Sequence, residues 1–184
     1  DLTVNFQIFT TCSILPPDRV EDPAQDPFGV LEAFLWIGEA LIRQTAVGLN
    51  FIDVYERTGL YPNALPSGLG REGAGVVEAV GPGVRGLAVG ERVAYVSSQA
   101  GSYAQRRCMA ADRLVTIPDG VSDRLAAAAM LKGLTAQFLL RRTHRVRKGD
   151  VVVIHAAAGG VGLIAAQWAR HLGATVIGVV GSAA

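Results

Sequence analysis

The stretch Val151–Gly162, VVVIHAAAGGVG, constrains this chain more than any other. Val151–Ile154 is a run of four apolar residues, three of them valine, which suits a strand covered on both faces. Three glycines follow at 159, 160 and 162, and then an apolar, helix-favouring segment, Leu163–Leu172. Past the turn Gly173-Ala174 comes a second strand-like run, Thr175–Val180. Strand, glycine loop, helix and strand make one βαβ unit of the kind that binds dinucleotides. The spacing Ala157-x-Gly159-x-x-Gly162 is the GxGxxG fingerprint with alanine in the first place.

The chemistry follows from the missing side chains. A residue without Cβ at 159 or 160 lets the backbone come close to a pyrophosphate. Gly162 lets the helix lie tight on the strand, and the helix N-terminus offers free N–H groups and positive dipole to the anion. Gly159, Gly160, Val161 and Gly162 are therefore candidate cofactor contacts. The same turn also occurs in βα units that bind no nucleotide.

The 184 residues allow one large domain or two small ones. Half are hydrophobic and 22 are glycine, which permits a core and many tight turns. A net charge of +1 argues against a nucleic-acid or membrane surface acting through bulk charge. Cys12 and Cys108 stand apart, with no CxxC, so a cytoplasmic, disulfide-free protein is the simplest reading. The first residues lack the pattern of a signal peptide. Val151–Ala169 is long and apolar enough to resemble a membrane span, but three glycines and His155 interrupt it. Buried parallel strands and their helices look like this, and we read no membrane segment.

Taken in order, residues 1–38 are atypical: Leu2–Phe9 reads as a strand, a proline-rich acidic loop runs through Pro27, and Phe28–Ile37 has neither period. Glu39–Val47 reads as a strand and Asn50–Arg57 as a short helix capped by Asn50. After a loop, Thr58–Gly70, short strands follow at Gly75–Val80, Arg92–Val96 and Ser102–Met109, the signature of a small β-barrel or sandwich. Asp112–Ile117 closes that region and Pro118-Asp119-Gly120 ends it. Ser122–Arg142 is helical text with Ser122 as N-cap, and Gly133 is expected to break it into two helices. Its end is basic (Arg141, Arg142, His144, Arg145, Arg147, Lys148), which reads as cations against a helix dipole or as a phosphate or RNA site.

Four segments resemble one family: GLNFIDVYERTGLYP (48–62), LPSGLGREGAGVVEAVGPGV (65–84), LKGLTAQFLLRRT (131–143) and HAAAGGVGLIAAQWARHLGATVIGVVGS (155–182). They are similar to the quinone oxidoreductases, the zinc-free, zeta-crystallin-like members of the medium-chain dehydrogenase/reductase superfamily. The resemblance implies an α/β plus β fold: a GroES-like β-barrel domain over 1–120, then the first part of a Rossmann doubly wound parallel sheet over 121–184. It implies NADPH as cofactor, a small quinone as acceptor with conjugated enals or enones as the alternative, and a homodimer for the full-length family member. Residues 1–38 depart from the family's usual opening, and only two of six nucleotide-sheet strands are present. The chain thus looks like a family member cut short, with little or no reductase activity expected of the 184 residues alone. A non-catalytic nucleotide- or RNA-binding relative stays open as a second class.

By the same resemblance, Asn50 lies near the nicotinamide and Tyr55 and Tyr61 line the acceptor cleft, making these three the candidate catalytic residues. Thr135 and Phe138 fall on a helix that contacts the cofactor. Each also has a plain structural role: Asn50 as a helix cap, the tyrosines in core packing, and Thr135 and Phe138 in helix packing. About twenty residues past the glycine loop, where NAD-specific folds place an acid, the chain reads Val179-Val180-Gly181-Ser182. A neutral turn with the Ser182 hydroxyl as donor leaves room for a 2′-phosphate, which favours NADPH over NADH and adds Gly181 and Ser182 to the cofactor set.

Zinc-using relatives carry cysteine where this chain has Asn50, and a His-Glu pair where it has Arg71-Glu72. His144, His155 and His171 sit in different segments, so no tetrahedral set can be drawn. Purified protein is expected to be metal-independent, and stoichiometric zinc in elemental analysis would overturn this.

Overall fold

A computed structural model describes residues 35–64 and 67–181. The strand expected at Leu2–Phe9, the acidic loop, most of Phe28–Ile37, Cys12 and Ser182 lie outside the described residues. The chain divides into two compact units, Asp1–Ala128 and Ala129–Ala184.

The first unit is built on an antiparallel sheet of β1 (Glu39–Val47), β2 (Glu72–Val80), β3 (Arg92–Val96), β4 (Arg106–Ala110) and β5 (Val115–Thr116), in the order β4-β1-β2-β3-β5. The connection from β1 to β2 carries a two-turn helix, α1 (Phe51–Arg57). β2 begins three residues before the expected Gly75, because its glycines mark close approaches and not the strand's end. A Cβ at Gly75 would lie 2.7 Å from Ile42 Cγ2, and one at Gly73 would lie 2.9 Å from the Tyr95 hydroxyl. Two register shifts in β1, at Leu41/Ile42 and Gln44/Ala46, bend it there. β4 starts later than expected, since the amides of Ser102 and Tyr103 donate to the carbonyls of Gly70 and Leu69 and not to β1.

Ala40, Ile42, Val77, Val93, Tyr95 and Met109 form the core of this unit. A polar seam crosses it. The Tyr95 hydroxyl donates to Gln44 Oε1 (2.6 Å), and Gln44 Nε2 donates to the Ser102 carbonyl (2.7 Å). Buried Arg107 donates to Ser102 Oγ (2.9 Å) and the Gln99 carbonyl (2.8 Å), with its guanidinium 5.2 Å from the Tyr95 ring centroid. Each polar atom taken from water here regains a partner, without which the seam would be costly.

The next helix, α2 (Asp123–Gln137), begins as expected, with the Leu125 amide donating to Ser122 Oγ (3.3 Å). It runs straight through Gly133, against the expectation of a break. Nothing lies within 4 Å of where a Cβ at 133 would be, so the glycine forfeits about 1 kcal/mol of propensity without ending the helix. The change comes after Gln137, where Phe138–Thr143 widens into π-helical turns.

In the second unit, β6 (Val151–His155) and β7 (Thr175–Val179) pair in parallel, from Val151↔Thr175 to His155↔Val179. Between them runs α3 (Gly160–His171), which starts inside the glycine loop, three residues before its apolar text. Val152, Ile154 and Val176 pack with Ala165, Ala169 and Ala174, whose small side chains allow helix and strands to close. Val151, Val153 and Ile177, on the alternate positions, are exposed. Among the described residues no helix is long and apolar enough to cross a membrane.

The start of α2 is clamped to the first sheet. Thr45 Oγ1 donates to Asp123 Oδ2 (2.6 Å), and Arg92 Nε and Nη2 donate to Asp123 Oδ1 (2.9 and 2.6 Å). The Thr45 hydrogen bond, aided by Arg92, holds the Asp123 carboxyl below the usual carboxylate range. A carboxyl that ionises more readily folded than unfolded adds stability above its unfolded pKa of about 3.9, lost as pH falls through the lower folded value. Asp123→Asn should therefore cost about 1 kcal/mol at neutral pH. In urea titrations across pH, its deficit should shrink below about pH 4. A deficit that is constant with pH would count against the clamp.

Candidate functional site

The glycine turn is shaped by two contacts that only small residues permit and by one sharp backbone turn. A Cβ at Gly162 would lie 2.7 Å from the Ala157 Cα, so the third glycine is what lets α3 rest on the turn. Alanine is tolerated in the first place of the fingerprint because β7 offers a glycine opposite: a Cβ at Gly178 would come within 2.9 Å of Ala157 Cβ. Ala156 takes a positive φ of 52°, turning the chain sharply out of β6. Gly159 caps α3 in extended geometry, accepting from the Leu163 amide (2.9 Å). The amides of Gly160, Val161 and Gly162 then form the open end of the helix, where no helical carbonyl can reach them. A cradle with its Cβ atoms removed and its amides turned out fits a pyrophosphate.

Beside the turn lies a cleft of about 470 Å³, walled by Leu140, Val146, Val152 and Ile154, with exposed His155 at its edge. Of the other candidate cofactor residues, Thr135 donates its hydroxyl to the Leu131 carbonyl of its own helix (2.7 Å). Phe138 is exposed where the π-turns begin. Gly181 is exposed just past β7, with nothing within 4 Å of where a Cβ would stand.

The first unit carries a second constellation on α1. Asn50 caps this helix in extended geometry, and its Nδ2 donates to Glu72 Oε1 (2.7 Å). Glu72 is completely buried, and its carboxyl fills the space that a side chain at Gly48 would need. One turn on, buried Asp53 accepts from the Asn50 amide (2.9 Å) and from the Tyr103 hydroxyl (2.8 Å). Burial first, and then the Asp53 bond and charge, push the Tyr103 hydroxyl well above the usual tyrosine range, so it remains a donor. Glu56 makes a buried ion pair with Arg71.

Positions 50, 53 and 56 share one face of α1, and this face is polar and turned inward. The apolar residues are turned out: Phe51 is 77% exposed, and Tyr61, just past the helix, is 51% exposed. The Tyr55 ring stands 5.3 Å from Tyr61 and 6.1 Å from Phe51, making an aromatic ridge with both tyrosines in it. Asn50 and Tyr55 are thus set on one short helix. Sequence reasoning missed Asp53, Glu56, Arg71 and Tyr103. Polar residues three apart beside exposed aromatics could have disclosed the first two; the others come from distant segments.

Among the described residues no group of three or more His, Cys, Asp or Glu side chains is placed to hold a metal ion. At the positions where zinc-using relatives carry ligands, Asn50 is bonded to Glu72 and Arg71 to Glu56.

Residues 37–119 match the family model of the alcohol dehydrogenase GroES-like domain. The chain is 55% identical over 145 residues to a quinone oxidoreductase of Pseudomonas aeruginosa, covering 78% of this chain and 45% of that one. It is 50% identical over 150 residues to a 2-haloacrylate reductase of a Burkholderia species, with 78% and 45% covered. The Escherichia coli quinone oxidoreductase crystallised with NADPH superposes with a TM-score of 0.77 at 49% identity, covering 79% of this chain and 45% of that one. The chain spans a little under half the length of these relatives. Over the part it shares with them, a GroES-like domain followed by the start of a Rossmann-like region, the chain is similar to the quinone oxidoreductases of the medium-chain dehydrogenase/reductase superfamily.

Proposed function

We propose that the protein is an NADPH-dependent reductase of small quinones. The observation that carries the reading is α1, a helix that buries its polar face and exposes an aromatic one. Three buried polar attachments hold Phe51 and Tyr61 open to solvent beside half-buried Tyr55, which is unfavourable unless a flat apolar molecule covers them. A planar quinone matches that surface, and the tyrosine hydroxyls can donate to its carbonyl oxygens. Glu72 fixes the rotation of the Asn50 amide at the same end of the helix.

The turn Gly159–Gly162 would hold the cofactor's pyrophosphate through the amides at the start of α3, with Gly181 and Ser182 on the side of the 2′-phosphate. NADPH, when bound, supplies the hydride that reduces the acceptor. The 2-haloacrylate reductase relative supports a conjugated carbonyl compound as the alternative acceptor. The lack of a group placed to bind metal among the described residues favours polarisation of the acceptor by hydrogen-bond donors.

Two experiments test this. Protein extended through the rest of the nucleotide-binding fold should oxidise NADPH only when a small quinone is added, with higher kcat/KM for NADPH than for NADH, whereas the 184 residues alone should show little turnover. Equal efficiency with NADH would remove the cofactor preference, and turnover of an enone but no quinone would reassign the acceptor. Separately, Tyr103→Phe strips a donor from buried Asp53 and should cost about 1–3 kcal/mol in urea unfolding. It should also raise KM for the quinone while NADPH affinity stays constant. An unchanged urea midpoint and KM would show that the ridge does not depend on its polar attachments.

A further inference from the structure

Ala129–Ala184 contain seven lysines and arginines and one acid, Asp150, whereas Asp1–Ala128 contain ten and fifteen. The chain's net +1 therefore conceals +6 in the second unit and −5 in the first. Six of the seven cations, all but Lys132, gather at one pole of the second unit. Arg141 and Arg142 lie in the last π-turn before β6, Arg145, Arg147 and Lys148 in the loop that follows, and Arg170 in the last turn of α3. The loop and the end of α3 meet: the Gly149 amide donates to the Gly173 carbonyl (3.0 Å), and the Lys148 stem lies against Gly173. The loop is anchored beneath its charges. Val146 is buried in one core with Leu140 and Ala174, and the Arg147 amide donates to Asp150 Oδ2 (2.8 Å). All six side chains are exposed, and among the described residues no carboxylate pairs with any of them. Asp150 faces His144 instead (3.5 Å).

Two ready explanations for the cluster fall short. Cations are favourable at the carbonyl ends of helices, yet here the backbone closes both ends by itself. The Leu139 and Leu140 carbonyls accept from the His144 and Val146 amides (3.1 and 3.0 Å). Those of Ala169 and Arg170 accept from the Ala174 and Gly173 amides (3.1 and 2.9 Å). Nor do the cations serve the glycine turn. They precede the first residue of β6 and meet the end of α3, whereas the turn follows the last residue of β6 and opens α3. From Val151 to His155 is about 13 Å of strand at 3.3 Å per residue, more than the ~10 Å over which salt lets exposed charges act.

We propose that this pole docks the protein on an anionic phospholipid surface. A group of about four to eight exposed lysines and arginines is what such a surface attracts, and an arginine fork meets a headgroup phosphate with two parallel hydrogen bonds. Leu139 (43% exposed) and Val151 (66% exposed) flank the cations in the chain and supply apolar contact at the boundary beneath the headgroups. A nucleic acid offers the same phosphates but nothing for those two side chains. The stretch 139–151 also has no Phe, Tyr or Trp to stack on bases, and no Asn or Gln to read their edges. This docking is independent of the reaction proposed above.

The test is flotation of the intact chain with lipid vesicles, which leaves any aggregated protein behind. Vesicles of phosphatidylcholine alone are compared with vesicles that carry about 30% phosphatidylserine. The anionic vesicles should bind about tenfold or more tightly than the neutral ones, and binding should be lost between about 0.1 and 0.5 M salt. Arg145→Gln combined with Arg147→Gln should weaken it about twenty- to thirtyfold, at roughly fivefold per charge, with the urea midpoint unchanged. Arg85→Gln, which removes an exposed cation from the first unit, should change binding by less than about twofold. Equal binding to neutral vesicles would give the contact to apolar surface alone and overturn the proposal. Undiminished binding by the double variant would overturn it too, and a lowered urea midpoint beside that result would return the cations to folding stability. Release from anionic vesicles by a short DNA duplex or RNA at equal phosphate would reassign the pole to nucleic acid. Absence of binding to both kinds of vesicle would sink the docking surface outright.

Discussion

A carboxyl group without solvent exposure, Glu72, is the constraint on which the first unit's functional face depends. It stands at the first position of β2, in space vacated by the absent side chain of Gly48, and accepts from the amide that caps α1. Burying such a group is costly unless its oxygens are met, so the cap residue and the strand become mutually dependent. Arg71, its neighbour in the chain, takes Glu56 from the far end of the same helix. Two consecutive residues of one segment thus hold both ends of α1, and Tyr103 holds its middle. A helix of 7 residues is too short to persist by propensity alone, and here polar attachment replaces the usual apolar face.

That inversion links packing to chemistry. Because the inward face of α1 is anchored by hydrogen bonds and an ion pair, Phe51 and Tyr61 are released to the outside, where they stand with Tyr55 as a ridge. The second unit solves a different problem with a similar economy of atoms. Removing Cβ at Gly162 brings α3 onto the turn, and removing it at Gly178 admits Ala157. The turn is therefore fixed by what is missing from it, and its amides are presented without any side chain having to hold them. Charge then separates the units: the acids of the chain are concentrated in the first and the cations dominate the second.

Much of this was legible beforehand. The βαβ order, the parallel pairing of its strands and the glycine turn all follow from local patterns. A valine run, a Cβ-free loop and an apolar helix leave few alternatives over a span this short. The short antiparallel strands and the capped helix at Asn50 were equally local. Where the expectation failed, a residue's local preference was overruled by its surroundings. Gly133 looked like a break, but a surface glycine inside a long helix lowers stability without ending it. Gly75 looked like the first residue of a strand, but it and Gly73 lie within one, where β1 and the core press close.

The sequence by itself determined which segments are strand, turn and helix, because backbone preference and hydrophobic period act over a few residues. It also carried the glycine fingerprint, whose meaning depends on spacing alone. Only the tertiary structure decided which polar residues face inward on α1, since Glu72, Arg71 and Tyr103 come from segments 15 to 50 positions away. It likewise decided that the basic run and the end of α3 meet at one pole of the second unit, joined by the Gly149–Gly173 hydrogen bond. Hydrogen bonds and helix dipoles act over a few ångströms, and which groups come that close is settled by chain packing rather than by distance along the chain.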